Sequence, residues 1–224
     1  MLPSLNAVPP ERGALLDGAA ALGVDLSDAQ ATHLLDYLAL IARWNRVYNL
    51  TAIRKPAEML SHHLLDSLTT IGPLARECPH AARLLDVGSG AGLPGVVIAA
   101  MRPQTQVTCI DAVAKKTAFV RQVAAELALP NLTAVHDRVE TFRAPPFDVI
   151  AARAYASLTV FAMQTRHLAD GSTRWLAMKG RRPDDETAAL PADVTMFHVE
   201  QTPIPGVNAE RCLVWMRMAP VVAA

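Results

Sequence analysis

The chain has 224 residues, 51% of them hydrophobic, and its 21 Lys and Arg balance 21 Asp and Glu to a formal net charge of zero. Such a chain buries a substantial core, which excludes a low-complexity or disordered protein, and its neutrality removes any global pull toward nucleic acid, so a polyanion would have to be held by local patches. No apolar run approaches the ~20 residues that span a bilayer, Met1-Leu2-Pro3-Ser4-Leu5-Asn6 lacks a basic and then apolar leader, and Cys78, Cys109 and Cys212 are unclustered, so the expectation is a cytoplasmic enzyme, monomeric, with no membrane segment, metal site or disulfide framework.

Residues 1–12, with Pro3, Pro9 and Pro10, read as irregular, and residues 13–75 as a helical N-terminal extension. Leu34, Leu35, Leu38, Ile41, Ala42 and Tyr48 recur at helical spacing, and Ser27 with Gln30 makes a capping box. A second amphipathic stretch, Met59, Leu60, Leu64, Leu65, Leu68 and Ile71, runs into Gly72-Pro73, read as its stop. Over residues 80–220 the period changes: Leu84–Val87, Val107–Ile110, Leu132–Val135, Phe147–Ala152 and Trp175–Met178 read as strands, with helices such as Lys115–Leu129 between them. That alternation predicts βαβ units and a parallel sheet covered on both faces. The last two runs, Val194–Val199 and Cys212–Met218, have only a Pro-rich loop between them and must pair antiparallel. The predicted class is α/β, Rossmann-like, with a seven-stranded, mainly parallel sheet and an antiparallel last strand; residues 221–224 form a tail.

Between the first strand and its helix lies Asp86-Val87-Gly88-Ser89-Gly90-Ala91-Gly92-Leu93-Pro94-Gly95, a turn where a nucleoside cofactor could lie against bare backbone. Gly90, Gly92 and Gly95 match a dinucleotide fingerprint, with Asp111 after the next strand placed to hold ribose hydroxyls. Asp86 argues for a different cofactor. A carboxylate just before the first glycine is awkward beside a pyrophosphate, but suits the ammonium and sulfonium of S-adenosylmethionine, which has no phosphate; Asp86 is expected near the methionine moiety and Asp111 on the ribose. A sheet ending in an antiparallel hairpin is also the usual form of S-adenosylmethionine-dependent methyltransferases.

Methyl transfer is an in-line displacement that requires aligned, dry reactants. The sequence lacks the Asn/Asp-Pro-Pro-Tyr segment used on exocyclic amines, and its Cys78-Pro79 falls outside the expected active-site strands, which disfavours an amino-group or cytosine-carbon target; a ring nitrogen, with its free lone pair, would need no general base. Arg153, after the fourth strand, can bind a carboxylate, a phosphate or a base edge but cannot act as a base. Basic groups recur at Arg43 and Arg46, Arg54-Lys55, Lys115-Lys116, Arg138 and Lys179-Gly180-Arg181-Arg182. Those after strands two, three and five would surround the cleft and could track a phosphate backbone, or be solvated faces. His62-His63 with Asp66 does not make a metal site, since adjacent histidines point to different helix faces; one of them is expected to pack on the cofactor domain. Trp44 and Tyr48 read as core staples, with base stacking as the alternative.

Trp44-Asn45-Arg46-Val47-Tyr48-Asn49-Leu50-Thr51, His63-Leu64-Leu65-Asp66-Ser67, the Gly92-Leu93-Pro94-Gly95 end of the turn, Arg138-Val139-Glu140, Phe147-Asp148, Arg153-Ala154 and Lys179-Gly180 together resemble the RsmG (GidB) family. That family methylates N7 of guanine-527 in bacterial 16S rRNA. The resemblance implies S-adenosylmethionine as cofactor, the 30S subunit as partner, and a cofactor site of Gly88, Leu93, Val139, Glu140 and Arg153, with Val139 and Glu140 preferred to Asp137, the first acid after the third strand. Asp111 is added as ribose ligand on physical grounds. Arg153, Arg138 and Lys179 are the candidates for holding guanine and its flanking phosphates. The alternatives are a small-molecule methyltransferase, which needs no basic rim and would show little salt dependence, a non-catalytic RNA-binding assembly factor, and a nicotinamide-dependent oxidoreductase.

Overall fold

The computed structural model describes residues 10–220. Residues 1–9 and the tail 221–224 lie outside it, and the chain enters at α1 (Pro10–Ala21), so the part of the expected irregular N-terminus that is described is already helical. Pro10 opens this helix at a position where its missing N–H costs nothing. The long α2 (Asp28–Tyr48) begins at the Ser27–Gln30 capping box, both halves of which are formed, and ends at Asn49 in the left-handed region, φ 49°. Next come α3 (Pro56–Met59), a π-helical turn (Leu60–Leu65), α4 (Asp66–Leu68) and α5 (Ile71–Glu77). The stop expected at Gly72-Pro73 is not one: Pro73 sits in the first turn of α5, where an amide hydrogen has no intrahelical acceptor to lose.

The expected strands all form: β1 (Arg83–Val87), β2 (Gln106–Asp111), β3 (Leu132–His136), β4 (Val149–Arg153), β5 (Arg174–Lys179), β6 (Val194–Gln201) and β7 (Cys212–Met218). Between them run α6 (Gly95–Met101), α7 (Ala114–Glu126), α8 (Leu158–Thr165), a 3-10 turn (Arg166–Leu168) and the short α9 (Asp184–Thr187). One seven-stranded sheet has the order β3-β2-β1-β4-β5-β7-β6. β1 to β5 are parallel, and β7 inserts antiparallel between β5 and β6.

Strand periodicity divides the core in two. Leu84, Val107, Cys109, Val149 and Trp215 face a cluster built with the N-terminal helices, α6 and α7, through Leu34, Tyr37, Leu64, Val96 and Phe119. Leu85, Val87, Ile110, Ile150 and Trp175 face the opposite cluster with Leu158 and Phe161 of α8. Residues i and i+2 share a face, so Asp86 lies on the Leu85-opposed, helix-covered side and is fully buried. The N-terminal helices therefore share a core with the sheet, and Tyr37 of α2 reaches the glycine turn, its hydroxyl donating to the Ala91 carbonyl at 2.6 Å. Strand order reverses between β1 and β4, and the loops leaving their carboxyl ends part there, which is where open α/β sheets bind ligands.

Candidate cofactor and acceptor site

At that switch point a cleft of about 280 Å³ opens over the ends of β1, β2, β3 and β4, walled by Gly88, Asp111, Val139, Glu140, Ala154 and Tyr155 among others. Gly88 has φ +63°, and a Cβ there would stand 2.6 Å from Tyr155 Cδ2, so the tyrosine ring can close over the turn only because the position is bare. Asp111 is 6% exposed. Its Oδ1 accepts from the Val113 amide at 2.9 Å, and its Oδ2 accepts from the Gly90 amide at 3.0 Å and lies 3.5 Å from Lys116 Nζ. The carboxylate is thereby held at the lip of the cleft with lone pairs left for hydroxyl donors.

Val139 is buried, presenting an apolar wall. Glu140 accepts from Arg138 Nη2 at 3.0 Å and from Gln164 Nε2 at 3.1 Å, while Gln164 Oε1 accepts from the Tyr155 hydroxyl at 2.6 Å. Its own backbone amide, and then Arg138, hold the Glu140 carboxyl below the usual range, and burial pushes the Tyr155 phenol up. Glu140 is thus a fixed acceptor and Tyr155 a neutral donor. Asp137, also in the cleft wall, accepts from the Arg138 amide and the Thr141 hydroxyl.

Two residues of the turn stand elsewhere than the sequence suggests. Asp86 does not reach the cleft: its Oδ2 accepts from the Gly95 amide at 2.8 Å and lies 3.9 Å from Cys109 Sγ, its Oδ1 has no protein partner, and burial pushes its pKa to about 7. The expectation that it meets the methionine moiety fails because strand alternation turns it under α6. Leu93 lies in the turn with its amide bonded to the Ser89 carbonyl at 3.0 Å, but its side chain is in the core, so it shapes the loop and does not line the cleft.

Beyond Ala154, which belongs to both walls, a second cavity of about 460 Å³ is lined by Thr51, His63, Asp66, Arg153, Lys179 and Arg211 among others. Ala154 has φ +50°, a left-handed conformation that costs a non-glycine residue about 1–3 kcal/mol. Arg153 Nη1 donates to the His62 carbonyl at 2.9 Å and to Asp66 Oδ2 at 3.1 Å. Lys179 Nζ donates to the Ala156 carbonyl at 2.9 Å and to both oxygens of Glu186 at 3.0 Å. His63 is 2% exposed, with no protein partner for either ring nitrogen; burial, and then Arg153, lower its pKa to about 4, so the imidazole is neutral at pH 7. It sits in the π-helical turn, a deformation frequent at functional sites.

Of the three candidates for the acceptor, Arg153 and Lys179 share the second cavity, and Arg138 lies on the far wall of the cleft. A third cavity of about 490 Å³ continues from Lys179 and Arg211 to Arg181 and Arg182. Arg43 pairs with Glu126 and Lys55 with Glu58, both outside the two central cavities. Trp44 packs edge-on against Phe119, and Tyr48, 43% exposed, lies tilted by 37° against Trp44. Arg211 was not singled out by sequence, and Thr51 and Asp66 entered only as parts of the motifs that carry the family resemblance, Asp66 also as a rejected metal ligand; nothing in local pattern marks an arginine brought in from just before the last strand.

The cleft suits a nucleoside without phosphates. The first-turn amide of α6 that would receive a pyrophosphate is bonded to a buried carboxylate, and Asp111, Asp137 and Glu140 add acid to the wall against Lys116 and Arg138. A crystal structure of a mutant of MtNAS in complex with S-adenosylmethionine is similar in fold, with TM-score 0.57 and 16% identity, over 93% of this chain and 83% of that one. The chain is 57% identical over 216 residues to the ribosomal RNA small subunit methyltransferase G of Leptothrix cholodnii, covering 96% of this chain and 99% of that protein. It is 56% identical over 213 residues to the protein of the same name from Acidovorax sp. (strain JS42), covering 91% and 94%. A family model described as rRNA small subunit methyltransferase G, GidB, matches residues 30–214. With the class I methyltransferase fold, an apolar and acidic nucleoside cleft, and matches that span both the helical extension and the sheet, the chain belongs to the GidB family of small-subunit rRNA methyltransferases.

Proposed function

We propose that this protein transfers a methyl group from S-adenosylmethionine to N7 of guanine-527 in 16S rRNA, acting as a cytoplasmic monomer on the 30S subunit. The observation that carries the reading is the pair of adjoining cavities: an acidic, apolar-walled cleft for the cofactor meets, at the strained Ala154, a second cavity rich in guanidinium and ammonium groups. The bound cofactor supplies an activated methyl group on a sulfonium centre. Asp111 would accept from the ribose hydroxyls, Val139 and Ile110 would offer apolar contact to the base, Glu140 would supply an acceptor for its amino group, and Gly88 would leave bare backbone for the methionine portion. Leu93 contributes by shaping the turn.

The acceptor enters from the Arg153 side. Guanine N7 carries a free lone pair, so no side chain needs to remove a proton from it, and the buried His63, whose pKa of about 4 makes it a weak proton acceptor, fits a cavity without base catalysis. The work of the cavity is to align guanine and exclude water. Arg153 and Lys179 hold the base edge or a neighbouring phosphate, and Arg138 tracks the strand across the cleft. Exchanging Arg153 for Ala removes a preorganised donor, for which the expected loss in transfer rate is roughly 100-fold. Single-turnover transfer to 30S subunits and cofactor titration separate its effects; a variant with wild-type transfer would remove Arg153 from the site.

A further inference from the structure

The floor of the second cavity joins three distant parts of the chain through one carboxylate. Asp66 opens α4, Arg153 ends β4, and Arg211 immediately precedes β7. Asp66 Oδ2 stands 3.1 Å from Arg153 Nη1, and its Oδ1 stands 3.4 Å from Arg211 Nε. The Asp66 side chain is 7% exposed, while those of Arg153 and Arg211 are 25% and 27% exposed, so the carboxylate lies beneath and the two cations face the opening. Arg153 spends one nitrogen on both Asp66 and the His62 carbonyl, and Arg211 Nη1 donates to the Glu210 carbonyl. Among the described residues, Arg153 Nε and Nη2 and Arg211 Nη2 have no hydrogen-bond acceptor.

A guanidinium reads a guanine edge or a phosphate by a planar fork, and the value of that fork depends on its orientation. A loose arginine has rotamer freedom to lose on binding; one already tied by a carboxylate does not. The same carboxylate opposes the approach of a polyanion. These two effects of Asp66 have opposite signs on binding and on transfer, which distinguishes it from a residue that merely supports the fold. We propose that Asp66 is a positioning residue for the methyl acceptor: it fixes the forks of Arg153 and Arg211 in the register that presents guanine and an adjacent phosphate to the cofactor cleft, at the expense of some attraction for RNA. The proposal deepens the rRNA methyltransferase reading and rests on it.

Asp66→Asn, in the full chain, keeps size and one acceptor oxygen but leaves two guanidiniums without a counter-charge. The expected result is a fall of about tenfold or more in single-turnover transfer to 30S subunits, with the Kd for 30S unchanged or tighter and the Kd for S-adenosylmethionine within about threefold of wild type. Asp66→Glu keeps the charge and shifts it by a methylene, so it should restore wild-type 30S affinity while remaining slower in transfer; it also serves if Asp66→Asn does not fold. Wild-type transfer rates in either folded variant overturn the proposal, as does a 30S affinity that weakens in step with the rate, the signature of a merely structural role. A wild-type protein that binds the cofactor but methylates no 30S subunit would instead overturn the rRNA reading beneath it.

Discussion

Asp86 is fully buried under α6, where the Gly95 amide donates to its carboxyl group. A fully buried carboxyl group with one amide donor is costly to ionise, and its pKa rises from 3.8 to about 7. Below about pH 4 it is protonated in both folded and unfolded chains, and its contribution to stability is fully present. As the pH rises from 4 to 7 the unfolded chain releases a proton that the folded chain retains, so stability falls, and above 7 both forms are ionised and the slope vanishes. Across that window the loss is on the order of 4 kcal/mol for a shift of this size. Asp86→Asn should flatten the profile: urea unfolding at pH 5 and pH 8 is expected to differ strongly between the two pH values in wild type and little in the variant. Equal pH dependence in both proteins would remove Asp86 as the source. Strand alternation puts Asp86 on the face of Leu84, and no local signal in the sequence tells that α6 closes over that face.

At the level of elements, α2 both carries the extension and braces the cofactor turn. Its capping box is an end effect, since Ser27 Oγ accepts from the Gln30 amide at 3.2 Å far from the cleft, whereas Tyr37 in its middle holds the Ala91 carbonyl. Ser27→Ala and Tyr37→Phe should each cost about 1 kcal/mol, a fall of roughly 2–4 °C in Tm for a chain of this size. Only Tyr37→Phe should also weaken S-adenosylmethionine binding, measured by titration, because it frees the turn; equal cofactor affinities in the two variants would contradict the bracing role. The seven strands and the capping box were legible in sequence because each is a local signal, an apolar run or a polar pair at fixed spacing. Gly72-Pro73 misled because the same dipeptide that ends one helix can open the next, and only the partners of the preceding carbonyls tell which. The π-helical turn that carries His63 has no sequence signature at all.

Over the whole molecule, a chain of zero net charge has gathered cations at one end of its sheet. Arg153, Lys179, Arg181, Arg182 and Arg211 line two cavities that share Lys179, Gly180 and Arg211, with Asp66, Asp185, Glu186 and Glu210 beside them as partial counter-charges. Such a site should release counterions on binding RNA, so the logarithm of the 30S association constant should fall steeply and linearly with the logarithm of salt concentration, with a slope of roughly −3 or steeper if several of these groups meet phosphates. Cofactor binding, on the acidic side of Ala154, should change little over the same salt range. A flat profile for 30S would leave the cations as solvated faces. Asp111, Arg153 and Lys179 were legible because they end strands of one parallel sheet, where topology brings sequence-distant loops together, whereas Gly88, Val139 and Glu140 came from the family resemblance, strand position alone favouring Asp137. Asp66 and Arg211 were not, since the first comes from the helical extension and the second from the hairpin, and nothing local says that these meet.

Transfer of labelled methyl from S-adenosylmethionine to 30S subunits lacking the modification, followed by chain cleavage specific for 7-methylguanine, shows which nucleotide this enzyme methylates. Label confined to guanine-527 is the predicted result. Label at another nucleotide, or tight cofactor binding with no transfer to 30S subunits or 16S rRNA, would contradict it.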